Sequence, residues 1–98
     1  MLAAARLNGM VFFELPSRWF AGRLMEHVGS ERFAWQRDDD GIAVVGVVLT
    51  ADELDLAYLL RTVQAWLDFE GLPAIRFELD ERIYVLSAKT PSRVSGSS

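Results

Sequence analysis

The segment 50–53, Thr-Ala-Asp-Glu, constrains the fold of this chain most, because the hydrophobic pattern changes there. The run 42–49 before it is almost wholly apolar, which is typical of a buried strand. After it, apolar residues recur at helical spacing as far as Phe69. A Thr at the N-cap with a Glu three residues on forms a capping box, so we expect a helix over 51–70.

A second change from strand to helix pattern lies at 15–17. Residues 9–15 are mostly β-branched, aromatic or otherwise apolar, which predicts a strand buried on both faces. The helix expected next has Pro16 in its first turn and ends at Gly29. Its apolar face would carry Phe20, Ala21, Leu24, Met25 and Val28.

The remaining strands are predicted by alternation and by turn residues. Residues 32–37 alternate in polarity, and Asp38-Asp39-Asp40-Gly41 predicts a hairpin turn into the strand 42–49. Residues 74–80 alternate apolar and charged side chains, so one face of that strand should be buried. A last strand, 82–87, would follow through a tight turn or a bulge at Asp80-Glu81.

Residues 9–37 and 41–79 thus each show the order strand, helix, strand. Two such units with right-handed crossovers predict an α+β, ferredoxin-like βαββαβ two-layer sandwich, here with an additional C-terminal strand. In the alternative, residues 1–29 are mostly helical, and the resulting αββαββ order resembles the layout of small secretion-chaperone folds. We rank it second, because the β-branched and aromatic residues before Pro16 favour extended backbone.

Length and composition limit the classes of protein. With 98 residues we expect one domain over 1–88, followed by a Ser-, Gly- and Pro-rich disordered tail over 89–98. The net charge of −4 comes from scattered charges, which argues against nucleic acid as a partner. The chain has no Cys and no apolar run near the roughly 20 residues that span a bilayer. We expect a cytoplasmic protein without cofactor, metal or membrane partner.

No catalytic motif stands out. His27 is the only histidine, and its place near a helix C-terminus suits interaction with the helix dipole. Asp38, Asp39 and Asp40 lack the alternation and downstream Glu of a calcium loop. Nothing in the spacing of the glutamates brings two carboxylates together, and nucleotide and hydrolase motifs are missing. An enzyme is therefore disfavoured.

The chain does have more apolar residues than one core requires. In the helix over 51–70, a second stripe lies opposite the core-facing arc, and one aromatic of the first helix also points away from its core face. The predicted contact residues are Trp19, Leu54, Tyr58, Ala65 and Phe69. Alternatively, the two helices lie side by side and each hides the extra stripe of the other.

The leading functional hypothesis is a non-catalytic protein-interaction module that self-associates or acts as the small partner of a larger protein. Its contact surface would be either the helical stripe or the open face of the sheet, with Arg76, Glu78 and either Trp35 or Gln36. A small-ligand sensor or regulatory domain is the alternative, by analogy of fold. A small enzyme that uses His27 or paired carboxylates ranks third.

Overall fold

A computed structural model describes residues 9–30, 32–50 and 52–88. The elements in these ranges are β1 (Met10–Leu15), α1 (Arg18–Val28), β2 (Ala34–Asp39), β3 (Ile42–Val48), α2 (Asp55–Glu70), β4 (Ala74–Leu79) and β5 (Arg82–Ser87). The tail expected to be disordered, 89–98, lies outside the described residues, so the predicted domain limits stay a prediction.

The strands form one antiparallel sheet in the order β2-β3-β1-β4-β5. β1 lies at its centre, with the hairpin β2–β3 on one side and the hairpin β4–β5 on the other. The prediction of a small α+β domain is confirmed. The five-strand order differs from that of a simple ferredoxin fold, so the finer ferredoxin-like assignment stays a prediction. The αββαββ alternative is wrong for the described residues, because Met10–Leu15 is a central strand.

Both helices cover the same face of the sheet, and the core lies between them and the three inner strands. Every second residue of β1 is fully buried there, while α1 and α2 contribute the arcs predicted from their periodicity. This core cluster contains Val11, Phe13, Leu15, Ala21, Leu24, Val28, Ala43, Val45, Val47, Leu59, Val63, Trp66, Leu67, Ile75 and Phe77.

The other face of the sheet carries no helix within the described residues. The prediction that β1 is buried on both faces is therefore wrong. Met10, Phe12 and Glu14, which alternate with the core residues of β1, are only half-buried. In β4 the predicted alternation is confirmed, since Ile75 and Phe77 are buried between exposed or half-buried neighbours.

The helix starts differ from the sequence prediction. α1 is capped by Ser17, whose hydroxyl accepts a hydrogen bond from the Phe20 N–H at 3.3 Å, so Pro16 precedes the cap. α2 begins at Asp55 rather than at 51, and the predicted capping box does not form. Instead, the Thr50 hydroxyl accepts from the Asp52 N–H, and the Asp52 carboxylate accepts from the Leu54 N–H.

Two-residue turns close both hairpins. In the turn between β2 and β3, Asp40 and Gly41 have φ values of 53° and 82°. In the turn between β4 and β5, Asp80 and Glu81 have φ values of 54° and 66°. Positive φ at both central residues is the type I′ conformation that matches the twist of paired strands. The second turn is therefore a tight turn, and it places a glutamate where glycine is favoured.

Candidate functional site

A nearly buried ion pair joins the start of the β2–β3 hairpin to the start of α2. The Arg32 guanidinium donates from Nη1 to Asp55 Oδ2 at 2.8 Å and from Nη2 to Asp55 Oδ1 at 2.7 Å. The side chains of Arg32 and Asp55 are only 8% and 11% exposed. The Thr50 N–H also donates to Asp55 Oδ2, at 2.8 Å. The Asp55 carboxylate, at the first position of α2, therefore holds both the loop before the helix and the segment that leads into β2.

These contacts lower the pKa of Asp55 from 3.8 to about 2. The hydrogen bonds from Arg32 are the main cause, and burial works against them by disfavouring the charged form. The Thr50 N–H and the positive charge of Arg32 lower the pKa further. Asp55 is therefore ionised throughout the physiological pH range. A carboxylate held charged in this way is a structural anchor and is unsuited to proton transfer near neutral pH.

The residues that we predicted as a contact surface all lie exposed on the helical layer. Leu54 is 71% exposed and Phe69 is 79% exposed, which is high for large apolar side chains. The full set is Trp19, Leu54, Tyr58, Ala65 and Phe69. The alternative, in which the two helices hide each other's stripes, is wrong. The helices meet through Phe20 and Trp66, whose rings pack edge to face at 6.5 Å between centroids.

The structure divides this set into two groups. Leu54 and Tyr58 lie at the first turn of α2, beside the ion pair, where the Arg32 guanidinium is 5.7 Å from the centre of the Tyr58 ring. Ala65 and Phe69 lie about three turns further along, in a groove between α1 and α2. The stripe therefore runs most of the length of α2, and its far end meets α1.

The groove between the helices surrounds a second ion pair. Arg23 Nε donates to Glu70 Oε2 at 2.6 Å, and the Glu70 side chain is only 7% exposed. The Arg23 guanidinium also lies 5.0 Å from the ring centre of Trp19. Trp19 and Phe69 thus lie on an apolar surface that has a fixed, half-exposed arginine between them. This mixture of Trp, Phe and Arg is typical of the residues that carry binding energy at protein interfaces.

Sequence reasoning missed part of the open sheet face, which is also apolar. The Trp35 indole lies across β3 at Gly46, where an added Cβ would come within 2.7 Å of Trp35 Cζ2. Phe12 packs against that indole edge to face, with 6.2 Å between ring centroids. Phe33 packs against it from the other side at 6.0 Å and is itself 73% exposed. The alternation of Phe33 and Trp35 was the available signal, but alternation alone does not say which face is covered.

The strand β5 lies where the sequence predicts it, over 82–87, but its exposure is a second feature that the sequence did not predict. Its burial pattern shows almost no buried position, and the large apolar residues Ile83, Tyr84 and Val85 are all exposed. Ile83 and Val85 face the open side of the sheet, across from Glu78 and Arg76. Tyr84 faces the helical side and stacks on Phe77, with 5.3 Å between ring centroids.

The candidate catalytic groups are not brought together. His27 is exposed at the end of α1, where it lines the groove with Arg23 and Glu26. Asp38 pairs with Arg18 at 2.9 Å, and Glu14 pairs with Arg76 across the open sheet face at 3.0 Å. Among residues 9–30, 32–50 and 52–88, no three His, Asp or Glu side chains converge as metal ligands. In the same part of the chain, neither helix combines the length and apolarity needed to cross a bilayer.

When the chain is compared with known proteins, no family model, no curated protein and no solved structure matches it. A functional proposal for this chain therefore rests on its own residues.

Proposed function

We propose that this chain is a non-catalytic protein-interaction module, which acts by self-association or as the small partner of a larger protein. The observation that carries the proposal is the exposure of Leu54 and Phe69, at 71% and 79%, on a helix whose opposite face fills the core. Large apolar side chains exposed to this extent, and grouped near both ends of one helix, are typical of interaction sites. The proposal includes a ferredoxin-like relation, supported by the insertion of β1 between β3 and β4.

The chemistry of the exposed residues also supports binding. Trp19, Tyr58 and Phe69 are large and have few rotatable bonds, so ordering them at an interface costs little conformational entropy. Each of the aromatics Trp19 and Tyr58 has an arginine over its ring, Arg23 and Arg32 respectively. Both arginines are held by carboxylates, so the surface is already ordered before a partner arrives.

The proposal is tested by placing a charge on the stripe. Phe69→Asp and Leu54→Asp should each weaken self-association by about tenfold or more, because a carboxylate would be desolvated at the contact. The measurement is sedimentation velocity over a wide range of protein concentration. Ala57→Asp is the matched control, since Ala57 is exposed on the same helix but lies off the stripe.

Stability separates a contact role from a core role. Because Leu54 and Phe69 are exposed, neither Asp variant should lose more than about 1 kcal/mol in the free energy of unfolding, and Leu54→Asp also adds a capping side chain at the N-cap of α2. Loss of stability together with unchanged association would assign these residues to the core. A wild-type chain that stays monomeric at every concentration would remove self-association and leave only the larger-partner form of the proposal.

A small-ligand sensor is the second candidate, and the groove between α1 and α2 favours it. This groove has a volume of about 470 Å³, and Trp66 and Phe69 line it together with Arg23 and His27. Glu26 and Glu70 also line the groove, so its size and mixture suit a small metabolite with groups of both charges, such as an amino acid. A thermal-shift screen of amino acids and nucleotides decides: a dose-dependent rise in Tm that Arg23→Ala abolishes favours the sensor, and a flat response counts against it.

A further inference from the structure

The outer edge of β5 is open and apolar. β5 is the last strand of the sheet order, so one of its two edges pairs with no strand of the described residues. Along this edge Ile83, Tyr84 and Val85 are 54%, 41% and 63% exposed. Natural sheets usually protect an open edge with Pro, Lys, a bulge or inward-pointing charges. β5 has the sequence Arg-Ile-Tyr-Val-Leu-Ser, with a single charge at its start and none of these devices.

The pairing of β5 with β4 determines which backbone groups point outward. Two observations identify hydrogen-bonded pairs of this ladder. Leu79 and Arg82 flank the two-residue turn and so form such a pair, and at the other end the Ala88 N–H donates to the Pro73 carbonyl at 2.8 Å. Since hydrogen-bonded pairs alternate along an antiparallel ladder, the even-numbered residues of β5 bond to β4. The N–H and C=O groups of the odd-numbered residues therefore point to the open edge. These residues are Ile83, Val85 and Ser87.

One end of this edge is already occupied. Gln64 of α2 donates from Nε2 to the Ser87 carbonyl at 2.9 Å. That contact satisfies the outward carbonyl of Ser87, so Ile83 and Val85 are the residues of β5 whose outward N–H and C=O groups are both available. An exposed edge strand with available donors and acceptors is a template for another strand.

We infer that the strand which pairs with this edge is β5 of a second copy of this chain, in antiparallel orientation, so that two sheets join into one. The inference rests on the proposed function as an interaction module and adds to the stripe on α2 a second contact surface, whose partner is an identical chain. A two-fold axis perpendicular to the joined sheet relates the two β5 strands, so side chains on the open face of one copy lie beside side chains on the open face of the other. The register that uses the available groups is centred on Tyr84, with Ile83 opposite Val85 of the second copy.

This register is self-complementary. The two Ile83–Val85 pairs exchange about four backbone hydrogen bonds, and their side chains pack against each other on the open face. The two Tyr84 rings lie side by side on the helical face, as a non-hydrogen-bonded pair. Arg82 lies opposite Leu86 of the second copy, so the only charge of the strand does not face itself. The edge therefore suits an identical strand.

A proline at an outward-pointing position tests the edge directly. Val85→Pro removes an outward N–H while leaving the ladder to β4 intact, which edge strands tolerate. Sedimentation equilibrium should show a dimer for the wild-type chain and a dimer at least about tenfold weaker for Val85→Pro. Gln36→Pro is the matched control, because by the same alternation the Gln36 N–H points outward on the opposite edge strand β2. That variant should dimerise like the wild-type chain.

A cysteine substitution tests the register. The chain has no Cys, so a single introduced thiol reports on one position. In the inferred dimer the two copies of residue 84 are a non-hydrogen-bonded pair, with Cβ atoms about 5 Å apart, which a disulfide can bridge after a small adjustment. Tyr84→Cys should therefore form a covalent dimer rapidly under mild oxidation. Gln36→Cys should stay monomeric on a reducing-agent-free gel over the same time.

Three results would overturn the inference: a monomeric wild-type chain, a dimer equally stable in Val85→Pro, or equal cross-linking of the two Cys variants. If Val85→Pro unfolds, Val85→Lys keeps the N–H and is read in the same assay, where it should also weaken the dimer. A dimer that Phe69→Asp abolishes and the β5 variants leave intact would reject the edge and retain the interaction module.

Discussion

The two hairpins that flank β1 have the same backbone plan and different surfaces. Both are closed by two-residue turns with positive φ, and each contributes one edge of the sheet. The outer strand of the first hairpin, β2, ends in Gln-Arg-Asp-Asp, all exposed. The outer strand of the second hairpin, β5, presents Ile83, Tyr84 and Val85 instead. Antiparallel pairing thus determines the backbone geometry of an edge strand, whereas the polarity of its side chains can differ.

The hairpins also differ in how they are anchored. The first is tied to α2 by the Arg32–Asp55 pair and is packed on the open face by Trp35 across Gly46. Within the described residues, the polar side-chain contact between the second hairpin and α2 is the hydrogen bond from Gln64 to the Ser87 carbonyl, while Tyr84 stacks on Phe77 of its own hairpin. We conclude that the first hairpin is fixed to the helical layer by an ion pair, whereas the outer strand of the second hairpin has an edge available for binding.

The largest expected effect is that of removing the anchor of the first hairpin. Arg32→Ala leaves the Asp55 carboxylate nearly buried without its bidentate partner, and we expect a loss of about 3 kcal/mol in the free energy of unfolding. Urea denaturation measures it. The matched control lies on the second hairpin: Arg76 pairs with Glu14 but is 61% exposed, so Arg76→Ala should cost less than about 1 kcal/mol. Equal losses of stability in the two variants would show that the ion pairs of the two hairpins contribute equally.

The same anchor predicts a dependence of stability on pH. Because the pKa of Asp55 is lowered from 3.8 to about 2, its stabilisation is fully present above the higher value and is lost as pH falls toward the lower one. The lost contribution is about 2 kcal/mol. The stability difference between wild type and Asp55→Asn should therefore shrink by about that amount between pH 5 and pH 2. A difference that stays constant with pH would contradict the lowered pKa.

Packing of the open face should give the next largest effect. An alanine Cβ at Gly46 would come within 2.7 Å of Trp35 Cζ2, so Gly46→Ala must displace the indole. We expect a loss of about 1 to 2 kcal/mol and a change in tryptophan fluorescence. Gly22→Ala is the control, because its added Cβ meets no atom within 4 Å and lies inside α1. That variant should gain about 1 kcal/mol, and a gain for both would show that Trp35 moves freely.

The smallest effect is expected at the turns. Glu81 has a φ of 66°, which disfavours any residue with a Cβ, whereas Gly41 holds the equivalent place in the first hairpin. Glu81→Gly should therefore stabilise the chain by about 1 kcal/mol, and Gly41→Glu should destabilise it by a similar amount. Differential scanning calorimetry measures both. Shifts of the same sign would show that the two turns are not equivalent.

Periodicity and turn residues were sufficient to predict the elements of this fold. Core arcs of both helices, a turn at Asp40-Gly41 and the alternation in β4 follow from local spacing, and the structure confirms each of them. The predicted turn was two residues too long, because Asp38 and Asp39 pair with β3 as the end of β2. The start of α2 was mispredicted, because the capping box assigned the capping role to Thr50 and Glu53. In the structure the helix begins at Asp55, whose carboxylate is held by Arg32. These two residues are far apart in sequence, so no local pattern predicts their contact.

The candidate surfaces were predicted in part. The exposed positions on α2 follow from helical geometry, since one side of a helix cannot face the sheet. The availability of β5 depends on strand order, which decides which hairpin strand lies outermost. Likewise, Trp35 lies on the open face because of the register of β2 against β3. Both properties arise from pairing between distant segments and become visible only in the folded chain.

The charged outer strand of the first hairpin has a consequence for stoichiometry. Once two chains have joined through β5, the combined sheet would end on each side in a β2 strand, whose Asp38 and Arg37 already have intramolecular ion-pair partners. A third chain that paired with β2 would have to place its own strand beside these charged side chains, which disfavours pairing, while the joined β5 strands offer no remaining edge. Growth by strand pairing would therefore end at two copies, and the charged outer strands would protect the joined sheet against fibre formation.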